Sequence, residues 1–245
     1  MPNGIRVQPR DITMLRFLSL LRILDRRQIE RIAGFTSTSR VNVRLGKLHK
    51  AGLIVRYFTG SRSGSKRSLY ALTKSGSVEA EAPFVHLKWK SDSFLLGNAF
   101  VAHQLALNDI YIEGVLGRGI GWKTFAQPLS ASIPLVPDAL IEAEARAFFV
   151  ELDLGTEQLA AWTRKTSLYL KLATSGTYRQ IVSHSQFAVL VVASDESRMQ
   201  ALRRHISKQT QKLFWFVTLD NIMRQGFWSS LWLRPSGDNR SPPGE

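Results

Sequence analysis

The stretch from Thr36 to Ile54, TSTSRVNVRLGKLHKAGLI, determines how the first third of the chain folds. Ser37 or Thr38 can cap a helix here, because a hydroxyl oxygen accepts a hydrogen bond from an unpaired N–H group of the first turn. The apolar side chains that follow recur at i, i+4 and i+7 and predict one narrow buried face: Val41, Leu45 and Leu48. Gly52 suits the end of this helix, and the apolar run that begins at Leu53 predicts a strand.

The opposite face of this helix is polar and basic. Seven side chains lie on it or at its flank: Ser39, Arg40, Asn42, Val43, Arg44, Lys47 and Lys50. Arginine can form two hydrogen bonds to guanine, asparagine can do the same with adenine, and valine can contact the methyl group of thymine. The helix is therefore predicted to recognise DNA, with these seven residues as candidate contacts.

The flanking sequence completes a winged helix-turn-helix domain over residues 9–76. A first helix over residues 11–24 precedes a second one, which begins with the capping box of Asp25 and Gln28. Strands over residues 53–58 and 69–73 follow the third helix, and the flexible turn between them adds three candidate DNA contacts: Arg62, Lys66 and Arg67. The run L-x-x-L-x-x-A-G-L-I from Leu45 and the closure Y-x-L-T-x-x-G from Tyr70 resemble those of winged-helix regulators.

Charge is distributed unevenly along the chain. Residues 1–75 hold 16 Lys and Arg against 3 Asp and Glu, whereas the remaining residues hold 17 against 16. Nearly all of the net charge of +14 therefore lies in the first third. A basic module of this kind favours double-stranded DNA as the partner, and the nearly neutral remainder predicts a domain with another task.

Several classes of protein are excluded by composition. The chain has no cysteine, which excludes disulfides, zinc fingers and thiol catalysis. No uncharged apolar run reaches the roughly 18 residues of a membrane-spanning helix, and the N-terminus lacks the pattern of a signal peptide. We therefore expect a cytoplasmic protein without a membrane partner.

Residues 77–91 are predicted to be a connector, residues 92–233 a mixed-sheet α/β domain, and residues 234–245 a disordered tail. The second domain begins with a helix from about Asp92, followed by strands over residues 122–126, 133–142 and 147–155. A helix over 156–172, a strand over 187–193, a helix over 197–206 and a strand over 214–218 complete it. The aromatic segment 227–232 either closes this domain or forms a dimer surface. The predicted fold class is α+β overall.

Six acids lie between Asp138 and Glu157, where the strands of the second domain end. Glu151 and Asp153 are two residues apart on one strand and therefore share a face. If the strand of Asp138 pairs beside them, three carboxylates converge. Such oxygen ligands suit Mg²⁺ or Mn²⁺, the metals expected for phosphodiester hydrolysis.

This layout resembles the PD-(D/E)xK nuclease superfamily. Pro137 and Asp138 match its "PD", and Glu151 matches its second acid, but Asp153 stands where that superfamily has its lysine. Some members supply the lysine from the following helix, and the resemblance implies Lys165, with Gln158 two turns earlier, for that role. The alternative is a nuclease-like domain without chemistry. In that case Asp153 and Glu157 pair around the start of a helix capped by Thr156.

The chain is also similar to the replication-relaxation family of plasmids and mobile elements over roughly residues 10–220. The shared features are the winged helix, a "PDA" strand at Pro137–Ala139, the segment ELDLGTE from Glu151 to Glu157, and Tyr169 in the following helix. This resemblance implies a role in plasmid replication or DNA relaxation.

Three hypotheses remain open at this point. The first is a homodimeric DNA-binding protein of a mobile element that acts in transcription or replication control and reads paired half-sites. The second is a metal-dependent DNA nuclease or nickase delivered by the winged helix. The third is an adaptor that docks a relaxase or replication protein through the neutral domain.

Overall fold

A computed structural model describes residues 5–60, 66–85, 99–144, 146–229, 232–237 and 240–241. The chain divides into two compact units, Met1–Ile112 and Glu113–Glu245. Both contain helices and strands, so the predicted α+β class is confirmed at that level. None of the helices in the described ranges is long and apolar enough to cross a membrane.

The first unit is built from helices and a small antiparallel sheet. Its elements are α1 (Pro9–Leu21), β1 (Ile23–Asp25), α2 (Arg26–Ile32), α3 (Thr38–Lys50), β2 (Ile54–Gly60), β3 (Lys66–Leu72), α4 (Lys74–Glu79) and α5 (Ala99–Gly114), the last of which crosses the division between units. The sheet has the order β1-β3-β2. The predicted order of three helices and two paired strands is therefore present, with β1 as an addition.

Local sequence explains most of these boundaries. Asp25 caps α2 as predicted, because its carboxylate accepts from the backbone N–H of Gln28 at 2.8 Å while the Gln28 side chain accepts from the Asp25 N–H. The apolar stripe of α3 is buried, at 0 to 1% exposure for Val41, Leu45 and Leu48. The first helix ends at Leu21 rather than residue 24. Arg22 has φ of 66°, which breaks the helix and lets Ile23 pair with Ala71 in β3.

The closure motif Y-x-L-T-x-x-G has Thr73 and Gly76 because both contact the backbone carbonyl of Leu53 closely. Thr73 caps α4 by accepting from the N–H of Gly76, and its hydroxyl donates to the carbonyl of Leu53 at 2.9 Å. A Cβ atom at Gly76 would lie 2.0 Å from that same carbonyl oxygen. Glycine is therefore required at this position by space rather than by a left-handed backbone conformation.

The predicted connector begins inside α4, and the described residues continue to 85. The helix predicted from Asp92 is described from Ala99 onward. Residues 92–98 lie outside the described part. This helix, α5, packs against the first unit, although the sequence suggested the second domain. Gln28 donates to the carbonyl of Leu105 at 2.8 Å and to Asp109 at 2.7 Å, and the buried Asn108 donates to the carbonyl of Ile23.

The second unit is a layered α/β structure. Its elements are β4 (Gly121–Lys123), β5 (Ala139–Glu142), β6 (Ala147–Asp153), α6 (Leu159–Ser175), a 3-10 helix (Thr177–Gln180), β7 (Phe187–Ala193), α7 (Glu196–Ile206), β8 (Phe214–Thr218), α8 (Leu219–Gln225), β9 (Trp232–Leu233) and β10 (Arg240–Ser241). Within the described ranges the sheet has the order β10-β9-β8-β7-β6-β5-β4. The central strands β6, β7 and β8 are parallel, and every other neighbouring pair is antiparallel.

The central strands are apolar nearly throughout because the sheet is covered on both faces. One face packs against α6 and α7 through a large core that includes Phe149, Trp162, Tyr169 and Leu202. Phe148 neighbours Phe149 on β6 and therefore points to the other face of the sheet, where it contacts Trp228 edge to face at 5.9 Å. Phe227 and Trp232, both fully buried, also contact each other, so the aromatic segment closes this unit.

Three predictions in this unit were wrong in detail. The strand predicted over residues 133–142 is a strand only from Ala139, because prolines interrupt it and residues 129–135 form their own turn. Gln158, not Thr156, is the N-cap of α6. The tail is ordered where it is described. Arg240 and Ser241 pair with β9, and the buried Arg203 donates to backbone carbonyls at residues 234 and 237.

Candidate nucleic-acid interface and buried carboxylate cluster

The outer face of α3 is open to solvent. Six of the seven residues predicted there are exposed: Ser39, Arg40, Asn42, Val43, Lys47 and Lys50. Val43 is 60% exposed, which is unusual for an apolar side chain in a helix with a buried stripe. The helix contains no acidic residue, and within the described ranges its three exposed cations form no ion pair. We call these six residues the α3 outer face.

A groove of about 360 Å³ runs between the start of α1 and the α3 outer face. Its lining includes Arg10, Phe35, Ser39, Arg40 and Lys47. The guanidinium group of Arg10 lies 4.8 Å from the ring centre of Phe35, which holds this cation beside the groove. The positive side chains are thus gathered around a concavity rather than scattered.

Arg44 is the exception among the predicted DNA contacts of α3. Its Nε donates to Asp11 at 2.7 Å, a second nitrogen contacts the same carboxylate, and that nitrogen also donates to the Arg6 carbonyl at 2.9 Å. Asp11 is 1% exposed, and its hydrogen bond to Arg44 raises the pKa of the guanidinium group. In this structure Asp11 occupies the hydrogen-bonding edge of Arg44, and the assignment of Arg44 as a base contact stays a prediction.

The wing is described only in part. Arg67 donates to the buried carboxylate of Asp25, with Nε at 2.8 Å, so the same Asp25 caps α2 and holds the base of β3. The Arg67 side chain is still 51% exposed. Arg62 and the side chain of Lys66 lie outside the described residues, and their proposed contacts stay predictions.

In the second unit the structure brings Glu151 and Lys165 together. Glu151 in β6 is 1% exposed, and its Oε2 accepts from Lys165 Nζ at 2.9 Å. Its Oε1 accepts from the hydroxyl of Tyr169 at 2.5 Å. Lys165 also donates to Glu157 at 3.2 Å and lies 4.7 Å from the ring centre of Trp162. Lys165 and Tyr169 are one helical turn apart on α6, which explains why both reach the same carboxylate.

Burial dominates the electrostatics of this group. It raises the pKa of Glu151 to about 7, because the loss of hydration outweighs the opposing effects of Lys165 and the hydrogen bond from Tyr169. Burial also disfavours the charged form of Lys165, but the carboxylates of Glu151 and Glu157 more than offset this and raise its pKa. Lys165 is therefore a fixed cation and cannot serve as a base at neutral pH.

Asp153 lies on the same face of β6 and has its own partners. Its Oδ1 accepts from Gly155 N at 2.7 Å and from Arg198 Nε at 2.8 Å. Its Oδ2 accepts from Trp162 Nε1 and from the second guanidinium nitrogen of Arg198, each at 2.7 Å. Burial would raise the pKa of Asp153, but these bonds outweigh it and lower the pKa.

Asp138 lies near this pair without completing a metal site. Its Oδ2 accepts from the backbone N–H of Leu152 at 2.7 Å, and it acts electrostatically on Glu151 and Lys165. Gln158 is exposed at the start of α6. Among the described residues no group of three or more His, Asp or Glu is placed to hold a metal ion. The oxygens of Glu151 and Asp153 accept hydrogen bonds from nitrogen and hydroxyl donors in this structure, and metal binding by them stays a prediction.

Arg198 was not expected from the sequence as a partner of Asp153, since it lies 45 residues away. Strands β6 and β7 are parallel neighbours, and the Ser194 N–H after β7 donates to the Asp153 carbonyl at 2.8 Å. The chain following β7 therefore arrives at the carboxyl end of β6. A parallel pairing of these two apolar strands, had it been assumed, would have predicted Arg198 as a neighbour of Asp153.

Four residues of the segment ELDLGTE make contacts that explain their presence. Glu151 and Glu157 bind Lys165, Asp153 binds Arg198 and Trp162, and Gly155 adopts φ of 82° while donating to Asp153. The Glu157 carbonyl accepts from Arg198 at 2.5 Å. This segment therefore fixes the starts of α6 and α7 to the end of β6.

The sequence matches the replication-relaxation family over residues 15–185. The chain belongs to the replication-relaxation family, as the resemblance predicted. None of the curated proteins matches it.

Among solved structures, the chain is similar to the crystal structure of Bacillus subtilis PadR in complex with operator DNA, at 22% sequence identity. The match covers 42% of this chain and 65% of that chain, so this chain spans just under two thirds of the length of PadR. The TM-score is 0.25, which is too low for the match to bear on the fold.

Proposed function

We propose that this family member binds double-stranded DNA through the α3 outer face and acts in transcription or replication control of a plasmid or mobile element. The observation that supports it is the exposed set of Arg40, Lys47 and Lys50 around Asn42 and Val43, with no acid on the helix. Cations supply affinity for phosphates, and the amide and the apolar side chain can contact base edges. The first unit would then be a winged helix, with α3 as its recognition helix.

The experiment measures binding to a random-sequence duplex of about 40 base pairs, or four helical turns, by fluorescence anisotropy at several salt concentrations. Arg40→Ala with Lys47→Ala should weaken binding several-fold and reduce the slope of log K against log salt by about 2, since each phosphate contact contributes about 0.9. Arg118→Ala with Lys123→Ala is the matched control, because it removes two exposed charges from the second unit. Wild-type protein that does not bind at low salt would refute the proposed function.

We also propose that the second unit is nuclease-like without cleaving DNA. The metal-dependent nuclease remains the alternative, and the arrival of Lys165 beside Glu151 from the following helix favours it. Supercoiled plasmid incubated with EDTA, Mg²⁺ or Mn²⁺ decides between them. Nicking that requires the metal and is lost in Glu151→Gln would establish the enzyme, whereas intact plasmid in every sample supports a binding protein.

The remaining expectations for this protein are a homodimer that reads paired half-sites and a cytoplasmic location. One recognition helix buries little surface, so two copies on related half-sites would give the affinity that regulators need. Light scattering of the purified protein with and without DNA measures this stoichiometry. A relaxase or replication protein as a further partner belongs to the adaptor hypothesis and needs a direct binding assay.

A further inference from the structure

The second unit is nearly neutral in total, but its charge is strongly sorted along the sequence. Between Glu157 and Asp195 there is no acidic residue, and none lies between Glu196 and Asp220. Residues 158–219 contain nine Lys and Arg against these two acids, Asp195 and Glu196. This region includes both helices, α6 and α7, that cover one face of the sheet.

Three of the nine cations are used inside the fold. Lys165 binds Glu151, Arg198 binds Asp153, and the buried Arg203 binds backbone carbonyls. The other six are exposed: Arg164, Lys171, Arg179, Arg204, Lys208 and Lys212. Within the described part of the chain none of these six has an ion pair with a carboxylate.

The two helices lie side by side and place several of these cations on one surface. Thr163 contacts His205 at 2.8 Å and Ser167 contacts Gln209 at 3.2 Å, so both contacts advance in the same direction and the helices run parallel. Arg164 is next to Thr163 in α6, and Arg204 is next to His205 in α7. We call the exposed cations of this surface the α6–α7 basic face: Arg164, Lys171, Arg204 and Lys208.

The spacing of this face suits a chain of negative charges. Arg204 lies in the last turn of α7, and Lys208 follows four residues later in the turn after that helix. Arg164 and Lys171 are seven residues apart, or about 10 Å along α6. Lys171 also donates to the Ser132 carbonyl at 2.9 Å, which orients its ammonium group. Like charges this close repel each other unless a polyanion neutralises them.

The same surface lacks what a protein partner would require. The large exposed hydrophobic side chains of the described residues are Leu20, Val43, Val78, Phe84, Val85, Phe100, Val136 and Met223. None of them lies on α6, on α7 or in the turn after α7. Protein interfaces have apolar or aromatic anchors at their centre, whereas surfaces that bind a phosphate backbone are polar and positive.

We propose that the α6–α7 basic face is a second DNA-binding surface, which contacts the phosphate backbone without reading sequence. This inference rests on the proposed function, since it supposes that DNA is the partner. It assigns a binding task to the nuclease-like unit that needs no metal and no catalysis. Its contacts should add to the salt dependence of binding without changing preference among sequences.

The test compares the Arg40→Ala, Lys47→Ala variant of the proposed function with two further double variants of the full-length protein, by anisotropy on the same random-sequence duplex. Arg204→Gln with Lys208→Gln should reduce the salt slope by about 2 and weaken binding roughly three- to tenfold at moderate salt. Arg118→Gln with Lys123→Gln removes the same charge elsewhere in the second unit and should leave both quantities unchanged. Circular dichroism confirms that each variant is folded, as expected for exposed positions.

The outcomes separate this inference from the proposed function. Wild-type protein that does not bind DNA refutes the proposed function and the inference together. DNA binding that depends on Arg40 and Lys47 but not on Arg204 and Lys208 overturns the inference alone, and leaves the basic face to an acidic protein. If substitution of Arg118 and Lys123 weakened binding as much as substitution of Arg204 and Lys208, the inference would also be overturned, since only net charge would then matter.

Discussion

The charged side chains of the α3 outer face and the carboxylates of β6 differ in their exposure to solvent and in their internal partners. Arg40, Lys47 and Lys50 extend into solvent and have no internal ion pair among the described residues, whereas Glu151 and Asp153 are almost fully buried and accept bonds from donors on α6 and α7. A charge whose bonds are all made inside the molecule stabilises the fold. A charge left without such bonds is available to a ligand. Residue type alone does not distinguish the two.

The largest expected effect comes from removing a partner of the buried Asp153. Arg198→Ala leaves its carboxylate with only Trp162 and Gly155 as donors, and should lower the free energy of unfolding by about 3–5 kcal/mol. Urea denaturation measures this. Arg204→Ala on the same helix is exposed and should change stability by no more than about 0.5 kcal/mol. Equal effects of the two substitutions would contradict the distinction between internal and external charges.

Within α3, the paired Arg44 and the exposed Arg40 should respond differently to substitution. Arg44→Ala removes the partner of the buried Asp11 and should cost about 2–3 kcal/mol, because Asp11 keeps its bond from the Gln8 N–H. Arg40→Ala, one turn earlier, should leave stability unchanged and weaken DNA binding. Thermal melting and anisotropy on both variants measure the two effects. If Arg44→Ala weakened binding without any loss of stability, Arg44 would belong to the interface after all.

A third prediction concerns pH. Burial raises the pKa of Glu151 from 4.5 to about 7, so between these values the folded chain holds a proton that the unfolded chain has released. Stability supplied by this proton is lost as pH rises through that window. The free energy of unfolding of the wild type, measured relative to Glu151→Gln, should fall by on the order of 2 kcal/mol across it. Parallel stability curves for the two proteins would show that Lys165 keeps Glu151 charged throughout.

The smallest expected effect comes from Gly46→Ala in α3, which should change the stability of the helix without changing the charge of its surface. A Cβ atom at Gly46 in α3 meets nothing within 4 Å, so Gly46→Ala should stabilise the protein by about 0.5–1 kcal/mol through lower backbone entropy. DNA affinity should not change in solution, because no charge or polar group is altered. A loss of affinity with a gain in stability would place duplex DNA against the backbone at this position.

The sequence was informative where structure depends on near neighbours. The stripe of Val41, Leu45 and Leu48 and the capping box of Asp25 are set by residues within two helical turns, and both are present. A place for Lys165 beside Glu151 was expected only from a family resemblance. Its contact with Glu151 depends on how α6 crosses β6, which local periodicity does not determine.

The errors have the same physical origin. The contact between Arg44 and Asp11 was not expected, because Asp11 lies 33 residues away on another helix. The first two residues of β1, Ile23 and Leu24, were merged into the first helix because apolar side chains suit either structure, and only pairing with β3 identifies them as a strand. The nearly neutral total of the second unit concealed the α6–α7 basic face, since its exposed cations are balanced in the sum by acids elsewhere in the sequence.

In the described part of the second unit, the sheet ends in short strands at both edges. At one edge lies β4 with three residues, and at the other lie β9 and β10 with two residues each. An edge of this length offers few unpaired N–H and C=O groups to a strand from another molecule. The long, apolar inner strands would aggregate readily if they were uncovered, so these short outer strands protect the protein from fibril-like self-association. A chain shortened before residue 232 should therefore be more prone to aggregation, even if its central strands still fold.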